Sequence, residues 1–175
     1  MKIIKVLLVV LTILIVGFFL LGVFIPKVSY SSTITVDKPA NEAWSVMSDE
    51  NKLSKWITGY KRSELISDKP NMIGSVSNIY IENQGTESII KETITEFIPN
   101  KVMAMDFSME PMDMDYRLTF EDKGSTTIIK STTDAEGNGL IMRSMIALMK
   151  NGMQSQEDVN MAKLQNLINM NQDIY

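Results

Sequence analysis

The feature that most constrains this chain is an uncharged apolar segment near its N-terminus. Residues 6–25, VLLVVLTILIVGFFLLGVFI, include 17 Val, Leu, Ile or Phe residues and no charged residue. As an α-helix the segment is about 30 Å long, which matches the hydrocarbon core of a bilayer. A helix on the surface of a soluble domain would carry a polar stripe, whereas Thr12 is the single polar side chain here. The sequence therefore predicts an N-terminal transmembrane anchor over residues 1–27.

The charges around this segment predict its orientation. Lys2 and Lys5 precede it and Lys27 follows it, so the positive-inside rule favours a cytoplasmic N-terminus. We expect a single-pass protein of the cell membrane with residues 28–175 outside the cytoplasm. A cleaved signal peptide is the alternative, but its apolar region is about 7–15 residues long and ends in small residues. The absence of Cys excludes a lipoprotein anchor.

Composition excludes several function classes for the remaining 150 residues. Residues 1–25 hold two Lys and no acidic residue, which leaves 15 basic and 21 acidic residues and a net charge of −6 for the rest. This field repels nucleic acid and anionic lipid headgroups, so neither is an expected partner. The chain has no Cys and no His, so we expect no metal site and no cofactor. Acid–base chemistry would fall on Asp, Glu, Lys or Tyr.

The rest of the chain predicts an α+β domain. Residues 31–36 alternate like a strand, Pro39 begins a short helix, and a second short helix leads to Trp56 and ends at Gly59. Strands with period-two alternation are predicted at residues 63–66, 75–83, 88–97, 102–110, 113–120 and 126–133. After Gly139 the apolar period changes to that of a long helix, with an interruption expected at Asn151-Gly152. The expected architecture is a curved antiparallel sheet wrapped around this C-terminal helix.

The order and local sequence of these elements resemble a known superfamily. The matching segments are STITVDKPANEAW at residues 32–44, Ser48-Asp49-Glu50 leading to Lys55-Trp56, residues 73–75, ETITEFIPNK at residues 92–101, and residues 124–126. Residues 28–170 resemble the START-like superfamily, also called SRPBCC or Bet v 1-like, and within it the polyketide cyclase/dehydrase group. The resemblance implies a helix-grip fold and an internal cavity for lipids, sterols, polyketides or other apolar molecules. It implies no catalytic residue, because the matched positions are structural.

Strand alternation and helix spacing give the residues expected to line this cavity. They are the inward positions of two predicted strands, one face of the long helix, and aromatic residues that lie near them. The candidates are Trp56, Tyr80, Met103, Met105, Phe107, Met109, Tyr116, Leu118, Phe120, Met142, Met145, Ile146 and Met149. Met is flexible and polarizable, and suits varied apolar ligands. A core fully packed by the same side chains gives the same pattern, and Trp56 also fits an aromatic plug that closes it.

Three alternatives to simple ligand binding remain open. Five Met lie in residues 103–114, and thioethers select Cu(I), although a core strand has the same alternation. A cyclase/dehydrase-type enzyme would place Glu92 or Glu96 in the cavity as a base with a raised pKa. Asp106 and Asp115 are predicted to face outward, so they are not candidates for this role. The third alternative is a protein-interaction domain whose cavity is filled by its own side chains.

Overall fold

The computed structural model describes residues 2–170 and contains eleven helices and strands. In chain order they are α1 (Lys2–Phe24), β1 (Lys27–Val36), α2 (Ala40–Met47), α3 (Glu50–Trp56), β2 (Tyr60–Ser67), β3 (Val76–Asn83), β4 (Thr86–Ile98), β5 (Val102–Met109), β6 (Met112–Asp122), β7 (Thr127–Gly137) and α4 (Leu140–Met170). The α+β fold with a long C-terminal helix is as the sequence predicts. The strand boundaries differ from the predicted ones mainly in β1 and β7. These two strands pair from Lys27↔Glu136 onward, so each is four residues longer at this end than the sequence predicts.

The seven strands form one antiparallel sheet in the order β1-β7-β6-β5-β4-β3-β2. Strands β2 to β7 follow one another as a meander, and β1 pairs with the last strand. Between β3 and β4 the turn has positive φ at both Gln84 (50°) and Gly85 (80°). Such a turn matches the right-handed twist of two antiparallel strands, so it connects them tightly.

A register shift in β4 separates two glutamates that the sequence places on one face. Ile94 pairs with Met105, but Glu96 pairs with Ala104, so the strand has an extra residue at Thr95. A bulge of this kind exchanges the faces of the residues that follow it. Glu92 therefore shares the face of Ile94, whereas Glu96 lies on the opposite face and contacts Arg117 through both carboxylate oxygens, at 2.5 and 3.1 Å.

Helix α4 runs beside β1 and packs mainly on β1 and α1, and less on β7. The Gln154 and Gln165 side-chain amides donate to the carbonyl oxygens of Ser31 (3.0 Å) and Thr35 (2.6 Å), so both elements point the same way. The helix is continuous from Leu140 to Met170. The expected interruption at Asn151-Gly152 is therefore absent, because a single Gly costs only about 1 kcal/mol in a helix that is held by packing.

The inner face of the sheet, defined as the face that packs on α2, α3 and α4, carries the main core. Trp44 lies at its centre, with edge-to-face contacts to Phe97 and Phe120 at centroid distances of 5.7 and 5.2 Å. The C-terminal half of α4 supplies three side chains that are fully buried in this cluster: Met161, Leu164 and Ile168. This packing closes one end of the space between sheet and helix.

Helix α1 meets the domain at its C-terminal end. Phe18 and Leu21 are partly covered and Gly22 is buried, whereas the preceding turns are exposed. The Gly22 N–H donates to the Ser144 hydroxyl at 3.1 Å. Over its length α1 is apolar enough to cross a membrane, a property that signal sequences share.

Candidate functional site

The inner face divides into a packed end and an open end. At the packed end Trp56, Leu118 and Phe120 are at most 6% exposed and Met103 packs against them. At the other end a small cluster of Val28, Ala135 and Ile146 is covered by Met112, Met114, Met142 and Met153. Because α4 leans on β1 and β7, it leaves the inner face of β3 to β5 less covered. Ile79, Ile90, Phe107 and Met109 are accordingly half-buried there.

A pocket of about 600 Å³ lies between the two ends, where α4 faces β1 and the β3–β4 turn. Its wall is apolar on one side and polar on the other. The lining residues are Tyr30, Asn83, Leu148, Met149, Gly152, Met153, Gln156, Glu157 and Asn160. A mostly apolar pocket with a few convergent polar groups is the usual form of a small-molecule site.

Tyr30 and Glu157 are among the polar residues that line this pocket, and Tyr116 contacts Glu157 without lining the pocket itself. The Tyr116 hydroxyl donates to Glu157 Oε1 at 3.0 Å, and the Tyr116 ring lies 6.0 Å from Phe107. Burial, and then the Glu157 carboxylate, raise the pKa of Tyr116 well above its usual value. Burial also raises the pKa of Tyr30. Both phenols are therefore neutral at physiological pH, and the Tyr116 phenol acts as a hydrogen-bond donor.

Glu92 is a half-buried acid on the inner face of β4. Its Cα partners are Ser77 on β3 and Phe107 on β5. Burial, helped by the Glu50 carboxylate, raises the pKa of Glu92 to about 7. A carboxyl group with this pKa exchanges protons near neutral pH, which is what general acid–base chemistry needs.

A second pocket of about 600 Å³ lies against the outer face of the sheet, and most of its lining residues are polar. Asp106 and Asp115 are neighbours on this face, as the sequence predicts. Lys27 Nζ lies 3.2 Å from Asp115 and 3.3 Å from Asp134. Burial and the Asp115 charge raise the pKa of Asp106. Within residues 2–170 no group of three or more acidic side chains is placed to hold a metal ion.

The structure places the predicted cavity residues in four different settings. Met149 lines the inner pocket, and Tyr116, Phe107, Met105 and Met109 lie on the inner face beside it. Trp56, Met103, Leu118 and Phe120 belong to the packed core. Met142 and Ile146 belong to the small cluster at the open end. Met145 is 41% exposed and does not line the inner pocket.

Tyr80 lies on the outer face, so its predicted place in the cavity is wrong. The register pairs Ser77 with Glu92 and Ile79 with Ile90, which makes the odd positions of β3 the inner ones. The Tyr80 ring is stacked under the Arg62 guanidinium at 3.4 Å, and its hydroxyl donates to Glu64 at 2.9 Å. The alternation of Ile79 and Ile81 with polar residues is the sequence pattern that identifies the inner face of β3.

Sequence reasoning missed the polar side of the inner pocket. Tyr30 precedes the predicted start of the first strand, although its alternation with Val28 would have extended that strand. Gln156, Glu157 and Asn160 lie on the long helix, where polar residues ordinarily face solvent. Nothing in the spacing of these three residues distinguishes them from polar residues on a solvent-exposed helix face.

The fold and this cleft define a START-like helix-grip domain. Residues 27–168 match the family model described as "Polyketide cyclase / dehydrase and lipid transport", and the chain belongs to this family. A comparison with curated protein sequences found no match.

Solved structures share the fold at low sequence identity. A protein of Thermus thermophilus is 12% identical with a TM-score of 0.65, over 81% of this chain and 97% of that chain. A START superfamily protein from Mycobacterium smegmatis is 15% identical with a TM-score of 0.64, over 80% and 96%. The Zhui aromatase/cyclase from a Streptomyces species is 12% identical with a TM-score of 0.60, over 80% and 94%. At these identities the likeness establishes the fold alone.

Proposed function

We propose that this chain is a membrane-anchored START-like domain that binds a hydrophobic small molecule or lipid between its sheet and α4. The observation that carries the proposal is the inner pocket of about 600 Å³. Pockets of about 300–1,000 Å³ take ligands of drug or lipid size. Leu148, Met149 and Met153 suit an apolar body, and Tyr30 with Gln156 suits a polar end group.

The anchor in this proposal is α1. Its 23 residues have a mean hydropathy of 3.2 in the most apolar window, and its exposed side chains are Val, Leu, Ile and Phe. Burying them in lipid removes a large apolar surface from water, whereas a soluble chain would leave that surface hydrated. With Lys2 and Lys5 on the N-terminal side, the positive-inside rule places the START-like domain outside the cytoplasm.

Gly152 offers a direct test of the pocket. A Cβ at this position meets no atom within 4 Å, so a ring can be introduced without a clash. Gly152→Phe is expected to fill the pocket and to weaken binding of a fluorescent fatty acid or sterol probe by about tenfold or more. Val159→Phe, at a position 45% exposed on the same helix, is the matched control.

The experiment uses the full chain in nanodiscs, with native mass spectrometry of the protein purified from its own host. A discrete added mass, lost in Gly152→Phe and kept in Val159→Phe, would support the proposal. Full probe affinity in Gly152→Phe would exclude this pocket as the site. The absence of both an added mass and probe uptake would favour an interaction domain with a filled core.

Glu92 supports a second candidate function, an enzyme of cyclase/dehydrase type acting on an apolar substrate. Its pKa of about 7 suits a base that takes a proton from a bound molecule. In this case Glu92→Gln abolishes conversion of the host-derived ligand, followed by mass spectrometry, while the ligand still binds. Unchanged conversion in Glu92→Gln would remove Glu92 from the mechanism.

A further inference from the structure

The first turns of α4 present apolar side chains that the domain does not cover. Ile141, Met145, Leu148 and Met149 are 61, 41, 63 and 53% exposed. Their spacing of four, three and one residues places them on one side of the helix, and we call them the α4 apolar face. A contiguous exposed apolar patch of this kind is typical of a surface that contacts a membrane or another protein.

The α4 apolar face lies beside the end of α1. A methyl group added at Gly22 would lie 2.5 Å from both the Leu140 carbonyl oxygen and the Ser144 hydroxyl, so the two helices touch there. Further along, Ile146 packs with Val28 of β1, and Gln154 bonds to Ser31. Helix α4 therefore begins at the level of Gly22 and leads away from α1.

This contact fixes the depth of the α4 apolar face relative to the anchor. Gly22 is three residues before Ile25, the end of the apolar segment, so it lies about 5 Å inside that end. Ile141 is on the first turn of α4 and shares this depth. Met145 and Leu148 follow at about one turn, or 5.4 Å, each. The α4 apolar face therefore runs from about 5 Å inside the end of the apolar segment to about 6 Å beyond it, which is the headgroup–acyl boundary that interfacial helices occupy.

The charges near the α4 apolar face also suit a lipid surface. Residues 140–156 contain Arg143 and Lys150 but no Asp or Glu. The Arg143 guanidinium turns back to the domain, where it donates to Glu136 at 2.9 Å and to the Gly137 carbonyl oxygen at 3.2 Å. Ile141 and Met145 are thus left without a charged side chain beside them, and Lys150 follows Met149 at the headgroup level.

We propose that the α4 apolar face is immersed in the interface of the bilayer that α1 spans. This inference rests on the proposed membrane anchor and adds a second membrane contact to it. Leu148 and Met149 also line the inner pocket, so the pocket opens at the bilayer surface. An amphiphile then passes between the leaflet and the pocket without crossing bulk water.

The chain has no Cys, so single cysteines can carry an environment-sensitive fluorophore at chosen sites. The full chain is reconstituted into phosphatidylcholine vesicles that contain a lipid spin-labelled near its headgroup. Labels at Ile141 and Met145 report the α4 apolar face, and a label at Leu14 reports the anchor. Val159, 45% exposed and about 27 Å from Ile141 along the same helix, is the matched control.

We expect labels at Ile141 and Met145 to shift to the blue and to lose about half of their emission to the quencher lipid, with little change at Val159. Quenching at Leu14 without quenching at Ile141 and Met145 would overturn the inference and leave the anchor standing. No quenching at Leu14 would show instead that α1 is not inserted in the bilayer, which would overturn the proposed membrane anchor. A blue shift at Ile141 without lipid quenching would mean that a second protein surface covers the face, which also overturns the inference. Unchanged thermal unfolding of each labelled chain shows that the fold is intact.

Discussion

Replacing Glu92 by Gln is expected to abolish a pH dependence of stability that the wild-type domain shows near neutrality. The pKa of Glu92 is raised from 4.5 to about 7. Between these values the native state binds a proton more tightly than the unfolded state. The free energy of unfolding therefore falls as pH rises through this window, because the native state must hold a partly desolvated carboxylate.

The magnitude follows from the size of the shift. A change from 4.5 to about 7 corresponds to about 3 kcal/mol, since one pKa unit is about 1.36 kcal/mol. The Glu92 side chain is half-buried, and its contact with water screens part of this cost. We expect an effect of about 2 kcal/mol. Glu92→Gln keeps the size of the side chain and cannot ionise, so its stability should not show this component.

The assay is denaturant unfolding of the full chain in mild detergent between pH 4.5 and pH 8. Trp44 and Trp56 are 7 and 6% exposed and report loss of the core by fluorescence. The free energy of unfolding of Glu92→Gln, relative to that of wild type, should rise by about 2 kcal/mol from pH 4.5 to pH 8, so that the variant gains stability over wild type at high pH. Glu87→Gln, on the exposed part of the same strand, is the control and should track wild type. A gap that stays constant with pH would refute the argument that burial raises this pKa.

Two further predictions concern packing and are measured by the same unfolding assay. Gly22→Ala is expected to cost about 1–3 kcal/mol, since its methyl group would lie 2.5 Å from the Leu140 carbonyl oxygen. Gly17→Ala has open space around it, and equal losses in the two variants would contradict the contact between α1 and α4. Leu118→Ala removes a side chain that is 1% exposed and is expected to cost about 2–5 kcal/mol. Leu65→Ala, at 61% exposure, should change stability by less than about 0.5 kcal/mol, and a similar loss in both would contradict the assignment of the core.

The sequence predicts the fold well because its strongest patterns are long. The apolar segment at residues 6–25 and the period change after Gly139 each extend over many residues, so they survive local exceptions. The alternation from Met103 to Met109 and from Met114 to Phe120 correctly identifies one face of β5 and β6. The apolar face of these two strands is the one that faces α4, so the alternation in β5 and β6 also identifies the inner face of the sheet.

The candidate site was harder to predict because it depends on single residues and on register. One extra residue at Thr95 moves Glu96 to the outer face, and a run of polar and apolar residues gives no sign of such a bulge. Glu157 lines the pocket together with Gln156 and Asn160, on a helix where polar residues ordinarily meet solvent. Its role depends on the Tyr116 hydroxyl 3.0 Å away, a contact between residues 41 positions apart.

Different side chains of α4 are expected to determine the stability of the domain and the binding of a ligand. Met161, Leu164 and Ile168 are 0% exposed in the main core, whereas Leu148 and Met149 line the pocket and are more than half exposed. Met149 and Leu164 are about 22 Å apart along the helix, and effects of sites this far apart usually add. Truncation of Met161, Leu164 or Ile168 should therefore lower stability at constant ligand affinity, and truncation of Leu148 or Met149 should do the reverse. Because Leu148 and Met149 contribute little to the core, these two side chains are free to be selected for what they bind.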